Sequence, residues 1–67
     1  MTDMNKLKGK LREKGLTYED GASVIGVSKP TFNSRISGKS VFGVVEAKKL
    51  SDELELTNEE AFSIFFA

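Results

Sequence analysis

TYEDGASVIGVSKPTFNSRISG, residues 17–38, is the stretch that decides the fold of this chain. It predicts two short helices joined by a tight turn at Gly26-Val27-Ser28. Thr17 is a good N-cap for the first helix, and Asp20 stands at the third helical position, the spacing of a capping box. Gly26 is expected to end that helix, because the left-handed backbone of a helix C-terminus is accessible to glycine at low cost.

The second helix of this stretch, about residues 28–37, is expected to have one buried edge and one polar edge. Ser28 caps it. Pro30 lies in its first turn, where backbone N–H groups have no partner within the helix, so the N–H that proline lacks is not needed there. Phe32 and Ile36 are one turn apart and form the buried edge. The residues that face the other way are Lys29, Asn33, Ser34 and Ser37.

The flanking segments also have helical patterns. Between Asp3 and Lys14 an apolar stripe recurs at helical period, and a further helix runs from about Val44 to Leu54. The last helix begins with a capping box, Thr57 to Glu60. The apolar residues expected to face inward from these segments are Met4, Leu7, Leu11, Val41, Phe42, Val44, Ala47, Leu50 and Leu54.

The chain is therefore interpreted as one all-α domain, residues 1–67, with five short helices and no strand. Gly21 is unusual in this pattern. It stands four residues into its helix, where an apolar side chain would normally pack against Leu16, so this helix is expected to be weaker than its neighbours.

The net charge is zero, with ten basic and ten acidic residues, but the charges are unevenly distributed. Residues 21–40 contain three basic residues and no acidic one. Residues 41–67 contain two basic residues against six acidic ones, a net charge of −4. The middle of the chain is thus basic and its last third is acidic.

Several classes of function are disfavoured by composition. The sequence contains no cysteine and no histidine, so we expect no disulfide, no metal site, no cofactor and no enzyme activity with a small-molecule substrate. It has no apolar run of transmembrane length and no export signal. The expected compartment is the cytoplasm, and no membrane partner is expected.

The residues of the central stretch resemble a known family. Ala22 followed by Gly26-Val27-Ser28-Lys-Pro-Thr-Phe32 and by Ile36-Ser-Gly38-Lys-Ser is similar to the Cro/CI-type (XRE-family) helix-turn-helix domain of small phage and prophage repressors. The resemblance extends over nearly the whole chain. It implies a five-helix lambda-repressor-like fold and a transcription regulator that binds a double-stranded DNA operator, usually as a homodimer.

This resemblance also implies a set of DNA contacts from the second helix of the motif, whose first residues would read bases in the major groove. The residues expected at base edges are Lys29, Pro30, Thr31, Asn33 and Ser34. The residues expected at phosphates are Tyr18, Ser28, Arg35, Ser37, Lys39 and Ser40. For Arg35 the alternative is an ion pair with an acid on a neighbouring helix.

The aromatic end of the chain suggests a protein contact. Phe62, Phe65 and Phe66 cannot all face inward from one short helix, so we expect apolar surface to remain there and to form a two-fold dimer interface. The same feature supports an alternative function, a protein-interaction module of the antirepressor or antitoxin type. The zero net charge keeps this alternative open, because DNA-binding domains usually carry a basic surplus.

Overall fold

Five α-helices connected by short loops make up residues 2–66, the part of the chain that this computed structural model describes. They are α1 (Met4–Glu13), α2 (Tyr18–Ile25), α3 (Lys29–Ile36), α4 (Val44–Glu53) and α5 (Asn58–Phe65). No strand occurs in these residues, so the all-α prediction is confirmed. None of the five helices is long and apolar enough to cross a membrane.

The core lies where α2 packs on α3 and α4, α1 packs on α3 and α5, and α4 packs on α5. A chain of aromatic rings links these elements, with centroid separations of 5.8 Å for Tyr18–Phe32, 5.9 Å for Phe32–Phe42 and 5.8 Å for Phe42–Phe65. The remaining buried side chains are apolar: Leu7, Leu11, Ala22, Ile25, Ile36, Ala47, Leu50, Leu54 and Ile64.

Gly21 of α2 lies directly against the Phe32 ring of α3. A Cβ atom on Gly21 would lie 2.6 Å from Cζ and 2.8 Å from Cε1 of the Phe32 ring, far inside van der Waals contact. Phe32 has no exposed surface, so its ring has no free space into which to move. The sequence suggests that the lack of a side chain at Gly21 weakens α2. In the structure, the Phe32 ring occupies the space that such a side chain would need.

The helix starts follow the predicted capping pattern. Thr17 and Thr57 each form a capping box, with Asp20 and Glu60 respectively. The side chain of Ser28 accepts a hydrogen bond from the Thr31 N–H. Gly43 has no side chain for this purpose, and the Glu46 carboxylate instead accepts a hydrogen bond of 3.0 Å from the Gly43 N–H.

Two apolar residues expected in the core are in fact exposed. Val41 is 80% exposed. Its neighbour in the loop, Phe42, packs between the Phe32 and Phe65 rings and fills the space in the core that is open to this loop. Val44 is 75% exposed, because it is the first residue of α4 and helical side chains point back toward the N-terminus, here beyond the end of the helix.

Two lysines of α1 and the lysine at its C-cap contact the C-terminal part of the chain. Lys6, Lys10 and Lys14 follow one another at every fourth position and meet the C-terminal part of the chain. The distances are 2.5 Å from Lys6 Nζ to Ser63 Oγ, 2.8 Å from Lys10 Nζ to Glu60 Oε2, and 3.2 Å from Lys14 Nζ to Glu55 Oε1. This stripe attaches α5 and the loop before it to α1.

Candidate nucleic-acid interface

One edge of α3 is buried and the opposite edge is unpaired. Phe32 and Ile36 are almost fully buried, whereas Lys29, Pro30 and Asn33 are exposed. The side chains of Lys29 and Asn33 form no hydrogen bond or ion pair with any other residue in 2–66. Their donors and acceptors are therefore available to a ligand.

The first turn of α3 is organised by its own cap. The Ser28 hydroxyl donates to Thr31 Oγ1 at 3.0 Å, and the Thr31 N–H donates to Ser28 Oγ at 3.3 Å. Thr31 is half-buried and its hydroxyl is already engaged. Among the five residues expected at base edges, the structure therefore leaves the side chains of Lys29, Pro30 and Asn33 most accessible, with Ser34 half-buried beside them.

The N-terminus of α3 differs from those of the other four helices in charge. It has no acidic residue at its N-cap or in its first turn. The corresponding acids elsewhere are Asp3 for α1, Glu19 and Asp20 for α2, Glu46 for α4, and Glu59 and Glu60 for α5. The partial positive charge of the α3 start is therefore not neutralised within the helix, and Lys29 adds a full charge to it.

Arg35 is engaged inside the protein. Its guanidinium forms an ion pair with Glu46 of α4, and both side chains are about four-fifths buried. The hydrogen bond from Arg35, followed by that from the Gly43 N–H, lowers the pKa of Glu46 below its ordinary value. Of the two expectations for Arg35, the ion pair is the one observed. The spacing of Gly43 and Glu46, that of a capping box, was the only sequence signal for this acid.

The segment after α3 is tied back to the helix by its backbone. The N–H groups of Lys39 and Ser40 both donate to the Ser34 carbonyl, at 2.9 and 3.2 Å, and the Ser37 hydroxyl donates to the same oxygen at 3.2 Å. The positive φ of 87° at Gly38 makes this return possible. Lys39 is thereby held next to α3, exposed and without an ion pair in residues 2–66.

Tyr18 opens α2 and is half-buried against Phe32. The expected contact residues are thus divided by the structure. Those that are at least partly accessible and whose side chains form no hydrogen bond within residues 2–66 are Lys29, Pro30, Asn33, Ser34, Lys39, Ser40 and Tyr18. Those already engaged in caps or intramolecular bonds are Ser28, Thr31, Arg35 and Ser37.

The three phenylalanines expected at a dimer interface are also divided. Phe65 is 5% exposed and packs edge-on against Phe42, so it belongs to the core of the monomer. Phe62 and Phe66 are 64% and 56% exposed, and their ring centroids lie 6.0 Å apart. The exposed aromatic surface of α5 is thus smaller than expected.

A scan against protein-family models and searches of the curated proteins and of the solved structures found no match to this chain.

Proposed function

We propose that this chain is a sequence-specific DNA-binding regulator of the phage or prophage repressor/Cro type, with α3 in the major groove. The observation that carries the proposal is the unpaired polar edge of α3, which begins at a helix N-terminus without an acid and with Lys29 at its first position. DNA offers hydrogen-bond and charge partners for these groups, namely phosphate oxygens and the donors and acceptors of base edges.

In this proposal α2, the turn and α3 form the DNA-binding helix-turn-helix of a lambda-repressor-like arrangement. Asn33 pairs with an adenine edge, for which asparagine offers one donor and one acceptor, and Lys29 donates to guanine. Pro30 has no N–H to donate and packs on a thymine methyl group. Ser34 lies next to Asn33 and completes the reading edge.

Phosphates flanking the groove are bound by residues at either end of this edge. Lys39 extends the positive potential from the loop after α3, and the Ser40 and Tyr18 hydroxyls add hydrogen bonds to phosphate oxygens. The chain measures 28 Å along its longest axis. Successive half-sites on one DNA face are about 34 Å apart, so one copy covers one half-site and a palindromic operator requires two copies.

A protein-interaction module is the second candidate function, and the exposed Phe62–Phe66 pair is the observation that favours it. The salt dependence of binding separates the two candidates. DNA affinity should fall with a slope of about −0.9 per phosphate contacted in a plot of log affinity against log salt. A module that recognises proteins through aromatic rings should show no retention on DNA at low salt.

The test is a titration of fluorescent duplex DNA at several salt concentrations, with two lysine variants as a matched pair. Lys39→Ala should reduce the salt slope by about one, because one phosphate contact is lost. Lys49→Ala, an exposed lysine on α4, should leave the slope unchanged. Equal effects of the two variants, or a flat salt response of the wild type, would contradict the proposal.

A further inference from the structure

A groove of about 560 Å³ runs between α1 and α5, and none of the residues that line it belongs to α3 or to the loop after α3. The two helices that form it are antiparallel, because Lys6 near the start of α1 meets Ser63 near the end of α5, whereas Lys10 meets Glu60 near the start of α5. Each end of the groove is therefore formed by the start of one helix and the end of the other, and the two ends can carry different groups.

The middle of the groove is open because the side chains there are small. A Cβ atom on Gly9 would meet nothing within 4 Å, so another molecule can approach the backbone of α1 at this position. Ser63 lines the groove from α5, and the buried Ile64 lies beneath it. The fold thus leaves room above Gly9 for a side chain of a partner.

One end of the groove carries a positive charge without a carboxylate. The Lys6 ammonium donates to the Ser63 hydroxyl at 2.5 Å, but it forms no ion pair within residues 2–66. A hydroxyl is neutral and leaves the charge of Lys6 uncompensated. A carboxylate of a partner would pair with it.

The opposite end carries two carboxylates, those of the exposed residues Glu13 and Glu59. Glu59 forms no ion pair within residues 2–66. Glu13 has only a contact of 3.7 Å with Lys10, whose ammonium lies closer to Glu60, at 2.8 Å. Two carboxylates at one end of a groove favour a cationic group of a partner, because it reduces their mutual repulsion.

The separation of these charges fits a helix. Lys6 and Glu13 are seven residues apart on α1, which is about 10 Å along the helix axis. A second helix that lies along α1 matches this distance when its own opposite charges are also seven residues apart. An open groove between two helices suits a docked helix, whereas sites for small molecules enclose most of the ligand.

We propose that the α1–α5 groove binds a helix of a partner protein that carries an acidic residue and, two helical turns away, a basic residue. The acidic residue pairs with Lys6, and the basic residue pairs with Glu13 and Glu59. A small apolar residue midway between them lies over Gly9. The proposal does not depend on DNA binding, because the groove contains no residue proposed to contact DNA.

The test is an NMR titration of the isotope-labelled full chain with synthetic alanine-based helical peptides. The first peptide has Glu and Arg two turns apart, and two further peptides have Arg or Glu at both positions. The Glu/Arg peptide should bind most tightly and should shift the amide signals of Gly9 and Ser63. The peptide with two Glu residues should bind at least about tenfold more weakly, because it brings a like charge to the acidic end.

Variants of the chain test the groove itself. Gly9→Leu should weaken binding of the Glu/Arg peptide at least about tenfold and keep the fold, because its side chain enters open space in the groove. Asn5→Leu is the matched control, since Asn5 is exposed on α1 but does not line the groove. Glu13→Gln combined with Glu59→Gln should weaken binding about three- to tenfold, whereas Glu19→Gln, which removes an exposed acid of α2, should not.

Several results would overturn the proposal. They are the lack of a saturable shift with the Glu/Arg peptide, equally tight binding of either like-charged peptide, and shifts that centre on α3. Equal effects of Gly9→Leu and Asn5→Leu would also overturn it. Circular dichroism of each variant verifies folding. Because no DNA is present, failure here leaves the proposed DNA-binding function untouched.

Discussion

Helices α3 and α5 are built alike and present opposite surfaces. Each has eight residues and begins at a hydroxyl cap, Ser28 or Thr57. Helix α5 neutralises its positive end with two acids in its first turn, and exposes phenylalanine. Helix α3 has no acid there and exposes unpaired polar groups. The two helices therefore differ in what they expose, unpaired polar groups on α3 and phenylalanine on α5, and this difference is the basis of the proposal that α3 contacts DNA.

The two helices are also held in place differently. Helix α3 is fixed by the Phe32 ring against the backbone of Gly21 and by the partly buried pair of Arg35 with Glu46. Helix α5 buries Ile64 and Phe65, and on its other side it is held by lysine side chains from α1. Close packing tolerates little displacement, whereas long cationic side chains adjust. Helix α3 thus depends on close packing at Gly21, whereas α5 combines buried apolar packing with adjustable lysine contacts.

The largest expected effect is on DNA affinity, and it compares the two helices directly. Asn33→Ala on α3 should weaken binding to a preferred duplex by about 2 kcal/mol, roughly thirtyfold, because a bidentate base contact is lost. Asn58→Ala, an exposed asparagine on the first turn of α5, should have no effect. Fluorescence anisotropy at constant salt measures both. Equal losses would remove the functional distinction between the helices.

The next effect concerns the packing beneath α3. Gly21→Ala should destabilise the fold by about 1–2 kcal/mol, because the new methyl group overlaps the buried Phe32 ring and this outweighs the gain in helix propensity. Gly9→Ala in α1 meets nothing within 4 Å and should stabilise by about 0.5–1 kcal/mol. Urea unfolding distinguishes the two. If both variants were more stable than the wild type, the Phe32 ring would not be packed too tightly against Gly21 to accept a methyl group, and the account of this contact would be wrong.

Acidification should destabilise α5, and the effect should depend on the Glu60 carboxylate. The hydrogen bond from Lys10, and after it that from the Thr57 N–H, lowers the pKa of Glu60 from 4.5 to about 2. Because the folded-state pKa lies below the unfolded one, the stabilisation is present at neutral pH. It is lost as the pH falls from about 4.5 to about 2.

Glu60→Gln should therefore lose amide protection in α5 already at neutral pH and lose less on acidification than the wild type. Hydrogen exchange followed by NMR measures this for each helix. The start of α3 carries no acid of its own and provides the internal reference. The same pH dependence in variant and wild type would contradict the assignment to Glu60.

The smallest expected effect is that of a single exposed bridge on the α5 side. Lys14→Ala removes the contact with Glu55, whose side chain is 78% exposed, and should change the free energy of unfolding by less than about 0.5 kcal/mol. Thermal unfolding at low and high salt is the measurement. A loss near that of Gly21→Ala would mean that ion pairs, and not apolar packing, dominate the attachment of α5.

Local features of this fold could be predicted from the sequence, and contacts between distant residues could not. The caps at Thr17, Ser28 and Thr57 depend on neighbours three residues away, so the helix starts were predictable. The seat of Phe32 on Gly21 depends on how two helices approach each other. A glycine in a helix interior indicates that another group packs closely against the helix backbone there, but the sequence does not show that this group is Phe32.

The candidate site follows the same division. The outward edge of α3 was predictable from its period, since Phe32 and Ile36 fix the buried side. The partner of Arg35 was not, because Glu46 lies on another helix and also serves the Gly43 cap. The exposure of Val41 depends on Phe42 filling the space between two rings. A cavity lined by Met4, Phe42 and Phe65 is formed by three segments that the sequence does not show to be adjacent.

The central claim is that α3 reads DNA sequence, and selection from a pool of random duplexes tests it most directly. The wild-type chain should enrich a defined half-site, and with two copies a palindrome whose halves are about one helical turn apart. Asn33→Ala in the same selection should lose preference at one base-pair position of the half-site while retaining the others. Failure of the wild type to enrich any sequence at low salt would contradict the claim.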